Sequence, residues 1–316
     1  MSTVREVSAE SLRKAGPFGT ALLEVASRRP EVVAVSADVS DVTGLSAFAA
    51  AYPDRFVNVG MAEQNLVAVA AGLAKAGYVP VVTTFAAFAT RRALDFIAIQ
   101  VALSRANVTI VAALPGIYST FGPTHQGIED LAHMRALPHL TVLDPCDNDE
   151  MEAATTAAIE HPGPVYLRQL LGRETEPVGL PRSPFRIGPA QLVREGSDVG
   201  IVASSIMVRQ AVLAAEELER RGVSAAVLKV STLKPFDAPG VAGFLARFPR
   251  GVTAENHTVL GGLHSATCEA LVAHGVSCRV AAVGIADEFC SFGSNAYVAQ
   301  RHGLTSDAVV EAVLRR

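Results

Sequence analysis

The fold is decided by VNVGMAEQNLVAVAAGLAKA, residues 57–76, in which nearly every side chain after Met61 is small or apolar. No polar stripe recurs at helical spacing, so the segment predicts a helix that is buried on all sides. Glu63 is the charged residue at the start of this helix. A carboxylate buried among apolar side chains tends to share a proton with a partner, which is typical of a functional group. The alternative is an ordinary acid in a first helical turn, where the helix dipole favours it.

β-Branched runs alternate with helical patterns on both sides of this segment. EVVAVS at 31–36, VPVVT at 79–83 and VTIVAA at 108–113 predict buried parallel strands. After the proline-rich stretch 172–194, VGIVA at 199–203 starts the same pattern again. The sequence therefore predicts an α/β protein of two consecutive domains, each with a mainly parallel sheet flanked by helices. We expect a first domain at residues 1–175, a linker at 176–194 and a second domain at 195–316.

Composition narrows the class of protein. The chain has 316 residues, half of them apolar, and a net charge of −4 without a basic block. Nucleic acid and anionic membrane are therefore poor partners. The four cysteines lie far apart without a Cys-x-x-Cys pair, which predicts reduced thiols in a cytoplasmic protein. We expect neither a signal peptide nor a transmembrane segment, because no apolar run is long enough for a membrane span.

Three more side chains follow predicted strands, at the end of the sheet where ligands bind in α/β proteins, and a histidine stands in a later loop. Asp38 follows the first strand, Phe85 and Phe88 follow the strand at 79–83, and His125 stands in GPTHQ at 122–126. Two nearby phenylalanines can stack on a flat ring, and an imidazole can exchange protons near neutrality. The structural alternatives are a turn-capping aspartate, core phenylalanines and a surface histidine.

In their order, the motifs resemble those of the transketolase family of thiamine diphosphate enzymes. The matching stretches are FVNVGMAEQN at 56–65, TTFAAF at 83–88, GPTHQ at 122–126, STLKPFD at 231–237 and ENHTVLGGL at 255–263. They are most similar to the separate C-terminal subunit found where transketolase is split into two chains. The resemblance covers nearly the whole chain, and implies a pyrimidine-binding domain followed by a transketolase C-terminal-like domain.

This resemblance implies roles for the candidate residues. Glu63 matches the glutamate that hydrogen-bonds the aminopyrimidine of thiamine diphosphate, so that the exocyclic amine acts as the base. Phe85 and Phe88 match the aromatic residues that flank this ring, and Asp38 matches an aspartate at the mouth of the cofactor site. His125 matches a histidine that faces the reacting carbons. Glu63 and His125 are thus the expected catalytic residues, whereas Glu255 and His257 in the second domain are expected to be structural.

Some positions depart from the family pattern. Arg91 stands where full-length transketolases commonly have a tyrosine, and Val42 stands where a phosphate-binding serine is expected. Sugar-phosphate transketolases usually carry a histidine near Ala113 and an acid at Phe121, but both are apolar here. An apolar wall cannot satisfy buried hydroxyl groups, so we expect a substrate other than the usual pentose and hexose phosphates. Phe121 and Arg173, which resembles a phosphate-contacting arginine, are the expected substrate-binding residues.

One family feature is absent from the sequence. In the family, a Gly-Asp-Gly segment and a later asparagine hold the diphosphate through Mg²⁺, and this sequence has no such segment. We therefore expect no metal ligand in this chain, and a partner N-terminal transketolase-like subunit that holds Mg²⁺ and shares the thiamine diphosphate. The resemblance favours an α₂β₂ heterotetramer.

The resulting hypothesis is a two-component transketolase-like enzyme that transfers a two-carbon ketol unit from a ketose to an aldehyde-type acceptor. Two alternatives stay open. One is a subunit of a decarboxylating thiamine enzyme, similar to deoxyxylulose phosphate synthases or to pyruvate dehydrogenase beta subunits. The other is a non-catalytic regulatory subunit, because a fold does not fix a function.

Overall fold

A computed structural model describes residues 9–170, 178–179 and 185–315, with side chains described from residue 15 onward. The first half of the chain contains α1 (Ala9–Arg28), β1 (Val32–Ser36), α2 (Ser40–Thr43), α3 (Ser46–Ala51), β2 (Phe56–Asn58), α4 (Glu63–Lys75), β3 (Val79–Phe85), α5 (Ala86–Arg91), α6 (Leu94–Phe96), β4 (Thr109–Ala113), α7 (Asp130–Ala136), β5 (Thr141–Leu143), α8 (Asn148–Glu160) and β6 (Val165–Gln169). A 3₁₀ turn at Pro53–Arg55 precedes β2, and a π-helix at Ile97–Leu103 follows α6.

The second half repeats the alternation of strands and helices. It contains β7 (Gln191–Arg194), β8 (Val199–Ala203), α9 (Met207–Arg220), β9 (Ala225–Lys229), β10 (Thr232–Lys234), α10 (Ala238–Leu245), β11 (Arg250–Thr258), α11 (Leu263–Ala273), β12 (Arg279–Ile285), α12 (Asn295–Arg301) and α13 (Ser306–Leu314).

These strands form two sheets. The first has seven strands in the order β10-β5-β6-β4-β3-β1-β2, and the second has five in the order β12-β11-β8-β9-β7. Neighbouring strands are parallel, except that β10 pairs with β5 and β7 with β9 in antiparallel fashion. The predicted α/β class with two mainly parallel sheets is confirmed.

The first sheet is covered by helices on both faces, which explains its continuous apolar strands. On one face, Val35, Val82 and Ile110 belong to a core that includes Leu66 of α4 and Ile97. On the other face, alternate residues of the same strands belong to a core with α1, α3 and α8: Ala34, Val81, Val111, Phe18, Phe48 and Met151. Because both faces are buried, a ligand can bind only where the strands end, and in α/β proteins it binds at their carboxyl ends.

The two sheets do not follow the predicted domain boundaries throughout. β10 comes from the second half of the chain but pairs with β5 in the first sheet, with Thr232 opposite Leu143. β7 lies inside the segment that we assigned to the linker, and it pairs with β9 in the second sheet. The linker also includes residues outside the described part of the chain. The division at 175 and 194 therefore stays a prediction.

Two predicted helices differ in the structure. In this chain α4 is not buried on all sides, because Gln64, Asn65 and Gly72 are exposed on its outer face. The apolar pattern of residues 88–104 predicts one continuous helix, but the structure divides this segment into α5, α6 and the π-helix. Both errors have one reason: small apolar residues indicate burial and helicity, but they fix neither the number of packed faces nor the continuity of backbone hydrogen bonds.

A buried ionic cluster joins the two halves of the chain. Arg168 in β6 donates to both carboxylate oxygens of Asp130 at 2.8 Å and to both of Asp144 at 3.2 Å. It also donates to the backbone oxygen of Asn256 in β11 at 3.1 Å. Burial raises the pKa of Asp144, whereas Arg168, acting against burial, holds the pKa of Asp130 below its usual value. Arg168 therefore fixes α7 and β11 relative to the first sheet.

Candidate active site

Four predicted residues form one aromatic cluster, which we call the aromatic site: Phe85, Phe88, Phe121 and His125. Phe85 ends β3 and Phe88 lies one turn into α5, whereas the other two belong to the loop between β4 and α7. The ring of His125 lies 4.9 Å from that of Phe88 in an edge arrangement and 5.2 Å from that of Phe121. Phe85 lies 5.8 Å from Phe88 and 6.4 Å from Phe121, between ring centroids. The structure thus brings together residues that the sequence places 40 positions apart.

Glu63 lies beside this cluster at the first turn of α4. It is 3% exposed, and its partner is Arg92, which follows α5. The Arg92 guanidinium donates to Glu63 Oε1 at 3.1 Å and to Oε2 at 3.3 Å. The same guanidinium lies 3.9 Å from the centroid of the Phe88 ring. The expected carboxylate is therefore buried and next to an aromatic face, but it is paired with a cation that we did not predict.

The Arg92 contact tests whether the site fits an aminopyrimidine. A guanidinium is flat, delocalised and rich in N–H donors, and it stacks on aromatic rings. Here such a group contacts the Phe88 ring while it donates to Glu63. A flat ring that carries N–H donors can make the same two kinds of contact. The residues of the site therefore fit the pyrimidine end of thiamine diphosphate.

The loop that carries His125 is fastened by Arg91, at the position where a family tyrosine was expected. Arg91 donates to the backbone oxygens of Pro123 and Gln126 at 3.3 and 2.9 Å, and it forms an ion pair with Glu129. His125 itself is half-buried, and its Nδ1 lies 2.8 Å from the Thr124 hydroxyl. Arg91 thus holds the loop instead of packing against a ring.

The structure does not join Asp38 to the aromatic site. Asp38 follows β1 with a φ of 63°, and its carboxylate accepts a hydrogen bond from the Asn58 side chain at 2.8 Å. Asn58 Oδ1 accepts in turn from the backbone N–H groups of Asp38 and Gly60. This places Asp38 at the carboxyl end of β1 and fastens the turn that leads to Glu63. Its role in cofactor binding stays a prediction.

The predicted substrate residues have different outcomes. Phe121 is 58% exposed, so its ring is available to a substrate, and Val42 is also exposed. Ala113 is fully buried at the end of β4, so it forms no part of an exposed substrate wall. Arg173 lies outside the described residues.

Two features bear on metals and membranes. Across residues 9–170, 178–179 and 185–315, no group of three or more His, Cys, Asp or Glu side chains is arranged to hold a metal ion. In the same part of the chain, the helices are too short or too polar to cross a bilayer. The four cysteine thiols are free.

Sequence analysis missed Arg92 and Asn256. Asn256 is buried in β11 and hydrogen-bonds the loop of the aromatic site. The sequence gives no signal that pairs Arg92 with Glu63, because the two residues lie 29 positions apart on different elements. Asn256 lies inside the ENH motif, but nothing in the sequence indicates which loop it contacts.

Comparison with known proteins agrees with this geometry. Residues 11–170 match the family described as transketolase, pyrimidine binding domain, and residues 188–309 match transketolase, C-terminal domain. The chain is therefore an α/β protein whose first domain is of the pyrimidine-binding class. It belongs to the transketolase family, as the resemblance of its motifs implied, and the domains of this family imply dependence on thiamine diphosphate.

Similar proteins include subunits of split enzymes. The chain is 42% identical to the uncharacterized transketolase family protein y4mN of Sinorhizobium fredii, over 96% of this chain and 89% of that protein. It is 41% identical to the 6-deoxy-6-sulfo-D-fructose transketolase subunit SqwH of a Clostridium species, over 92% of this chain and 90% of that subunit. A solved structure, described as a split gene transketolase in an inactive beta4 tetramer, has a TM-score of 0.84, 39% identity and coverage of 95% and 96%.

The chain is also similar to longer enzymes that are named for a different reaction. The chain is 37% identical to the 1-deoxy-D-xylulose-5-phosphate synthase of Symbiobacterium thermophilum, over 97% of this chain but 48% of that enzyme. This chain therefore corresponds to about half the length of such a synthase.

Proposed function

We propose that this chain is the pyrimidine-binding subunit of a two-component, thiamine diphosphate-dependent transketolase-like enzyme. The enzyme transfers a two-carbon ketol unit from a ketose donor to an aldehyde-type acceptor. The chain is active only with an N-terminal transketolase-like partner, which holds the diphosphate and Mg²⁺, in an α₂β₂ heterotetramer. The observation that carries this proposal is the position of Glu63, which is buried and is joined through Arg92 to the ring of Phe88, 4.9 Å from that of His125.

The residues of the site have different roles in this function. Glu63 accepts a hydrogen bond from the pyrimidine ring, and its burial excludes competing water. Phe85 and Phe88 hold the ring by aromatic contact. Thiamine diphosphate, when bound, supplies the carbon nucleophile that takes up the two-carbon unit. His125, whose ring lies 4.9 Å from that of Phe88, can exchange a proton with substrate hydroxyl groups.

The position of Phe121 supports the proposal that the substrate differs from the usual sugar phosphates. Its exposed ring lies next to His125, where a hydroxyl-binding acid is expected from the family pattern. A polar group left unpaired against an apolar wall is costly, so such a wall discriminates strongly. The relative SqwH is named for a sulfo-sugar, which supports testing sulfonated and less polar ketoses as donors.

The partner is supported by what the described residues contain. Large apolar side chains are exposed just before α4 and in the π-helix that packs against it: Met61 at 81%, Ile99 at 54% and Leu103 at 68%. An exposed apolar face of this kind is typical of a subunit interface.

The test is reconstitution with an N-terminal transketolase-like subunit. We expect ketol transfer by the mixture, with thiamine diphosphate and Mg²⁺, and none by either chain alone. Glu63→Ala in the mixture should lose turnover by at least about a hundredfold and keep its melting temperature, because it removes a group needed for activation of the cofactor. Glu152→Ala, an exposed acid of α8, is the matched control. Turnover by the isolated chain, or an active Glu63→Ala variant, would contradict the proposal.

A decarboxylating enzyme is the second candidate. The similarity to 1-deoxy-D-xylulose-5-phosphate synthases over nearly the whole chain favours it. Release of CO₂ from pyruvate by the reconstituted pair, without ketol transfer between sugars, would select this candidate over the first.

A further inference from the structure

We propose that Asn256, in the second domain, is the positioning residue for the loop that carries Phe121 and His125. The expected effect on catalysis rests on the proposed function, whereas the expected effect on the loop does not. Asn256 is fully buried at the carboxyl-terminal part of β11. We had assigned its neighbours Glu255 and His257 a structural role, and the contacts of Asn256 give the motif a purpose in the site of the other domain.

Asn256 satisfies two backbone groups at the base of the loop. Its Oδ1 accepts a hydrogen bond from the backbone N–H of Ile117 at 3.1 Å, and its Nδ2 donates to the backbone oxygen of Pro115 at 3.3 Å. The N–H of Gly116, between them, donates to the backbone oxygen of Gly127 at 2.8 Å. Because Pro115 and Ile117 are buried, water cannot replace the amide when it is removed.

Gly116 shows how closely the side chain fits the loop. It has a φ of 63°, and a Cβ added to it would lie 2.2 Å from Asn256 Oδ1. A side chain at this position would therefore displace the amide, in addition to the strain of a positive φ. The close approach is possible only with glycine opposite Asn256.

The second domain also holds the other arm of the loop. The backbone N–H of Thr258, two residues after Asn256, donates to the oxygen of Ile128 at 2.8 Å. His257 Nε2 accepts from the backbone N–H of Ala132 in α7 at 3.3 Å. The ends of the segment 115–128 are thus both fixed by β11, and Phe121 and His125 lie between them.

Asn256 is itself fixed from behind. Its backbone oxygen accepts from Arg168, which is held by Asp130 and Asp144. A positioning residue must be more rigid than the loop it orients, and a fully buried ion cluster meets this condition. The second domain thereby sets the geometry of a site whose residues all come from the first.

The experiment is hydrogen–deuterium exchange on the full chain, which needs neither partner nor cofactor. Asn256→Leu keeps the approximate shape and removes both hydrogen bonds. We expect the backbone amides of residues 116–119 to exchange at least about tenfold faster, with β8 and α11 unchanged, because the base of the loop opens locally. Thr253→Val is the control: it removes a buried hydroxyl from the same strand, but that hydroxyl bonds His264 and Ala281 within the second domain.

A second variant separates the two hydrogen bonds. Asn256→Asp keeps the acceptor for Ile117 but places an oxygen against the Pro115 oxygen, so it should give an intermediate exchange rate, and it replaces Asn256→Leu if that variant does not fold. In the reconstituted enzyme, Asn256→Leu should lower kcat/KM for the substrates by at least about tenfold without changing thiamine diphosphate affinity.

Loop exchange that matches that of Thr253→Val, in both variants of Asn256, would overturn the proposal. Faster loop exchange in a chain that shows no ketol transfer with its partner would uphold the loop contact and reject the proposed function instead.

Discussion

Arg92 donates to both carboxylate oxygens of Glu63, at 3.1 and 3.3 Å, from a position over the ring of Phe88. The guanidinium therefore makes the two contacts that we assign to the pyrimidine ring in the complete enzyme. Its side chain is 49% exposed, so it can leave towards solvent without opening the core. Cofactor binding then requires that this ion pair breaks, which reduces the apparent affinity by the fraction of open sites.

The first prediction concerns this competition. Arg92→Ala should bind thiamine diphosphate about threefold to tenfold more tightly in the reconstituted enzyme, because an ion pair with one half-exposed partner and a ring contact contributes about 1 kcal/mol. Calorimetric titration of the reconstituted pair measures the change. Arg28→Ala is the control, since Arg28 is half-exposed and pairs with Glu160. Unchanged or weaker binding by Arg92→Ala would show that Arg92 does not compete with the cofactor.

This pair also shows what the sequence could and could not predict. The strand pattern predicted that Phe85 and Phe88 lie at the end of the sheet where ligands bind. The resemblance of the motifs, and not the strand pattern, implied that Glu63, Phe121 and His125 belong to the same site. Arg92 lies 29 positions after Glu63, and their contact depends on the path between α4 and α5. A contact between side chains of distant elements leaves no periodic signal.

The same limit applies to the sheet and its buried charges. β10 has three residues and pairs antiparallel with a strand from the other half of the chain. Neither the length nor the composition of β10 indicates that it pairs with β5. Arg168 follows an apolar run, where a charged residue usually indicates the end of a buried strand, but β6 continues to Gln169. The acids that make the burial of Arg168 possible lie 24 and 38 positions away.

The second prediction is that stability falls as the pH rises from about 6.5 to 8. Burial raises the pKa of Glu255 to about 8, above its ordinary value of 4.5. The folded state thus keeps a proton that the unfolded chain has released, and the free energy of unfolding decreases by up to about 1.4 kcal/mol per pH unit in this range. Burial lowers the pKa of His257 to about 4, so its contribution is lost only as the pH falls below about 6.5.

Urea unfolding of the full chain at several pH values between 6.5 and 8 measures this slope. Glu255→Gln should flatten it, because glutamine does not titrate. That variant should also be less stable at every pH, since Glu255 accepts from the backbone N–H groups of both Leu263 and His264, and an amide has one acceptor oxygen. An equal slope in both proteins would show that Glu255 is not the titrating group.

The third prediction concerns the charge between the domains. Arg168→Met should lower the free energy of unfolding by about 3–5 kcal/mol, because it leaves Asp130 and Asp144 buried without their cation. Arg220→Met is the matched control: Arg220 pairs with Glu217 on the surface and is 72% exposed. This control should cost less than about 1 kcal/mol. Denaturation in urea compares the two variants, and similar losses in both would mean that the buried cluster does not stabilise the chain.

The fourth prediction tests substrate choice. Phe121 is exposed, and its ring lies 5.2 Å from that of His125 and 6.4 Å from that of Phe85. A carboxylate at this position can accept hydrogen bonds from donor hydroxyl groups, which a phenyl ring cannot. We compare the kcat/KM for xylulose 5-phosphate with the kcat/KM for the donor that the natural protein uses best. Phe121→Asp should therefore raise this ratio by at least about tenfold over its value in the natural protein.

Phe121→Leu separates this effect from the loss of ring contacts. Leucine removes the ring contacts with His125 and Phe85 but keeps the wall apolar, so the preference for the natural donor should persist even if turnover falls. The comparison needs both substrates in one reconstituted preparation, with ribose 5-phosphate as a common acceptor. If Phe121→Asp and Phe121→Leu shift the ratio of kcat/KM values equally, hydrogen bonding at position 121 does not decide the donor, because the ring loss common to both variants then accounts for the change.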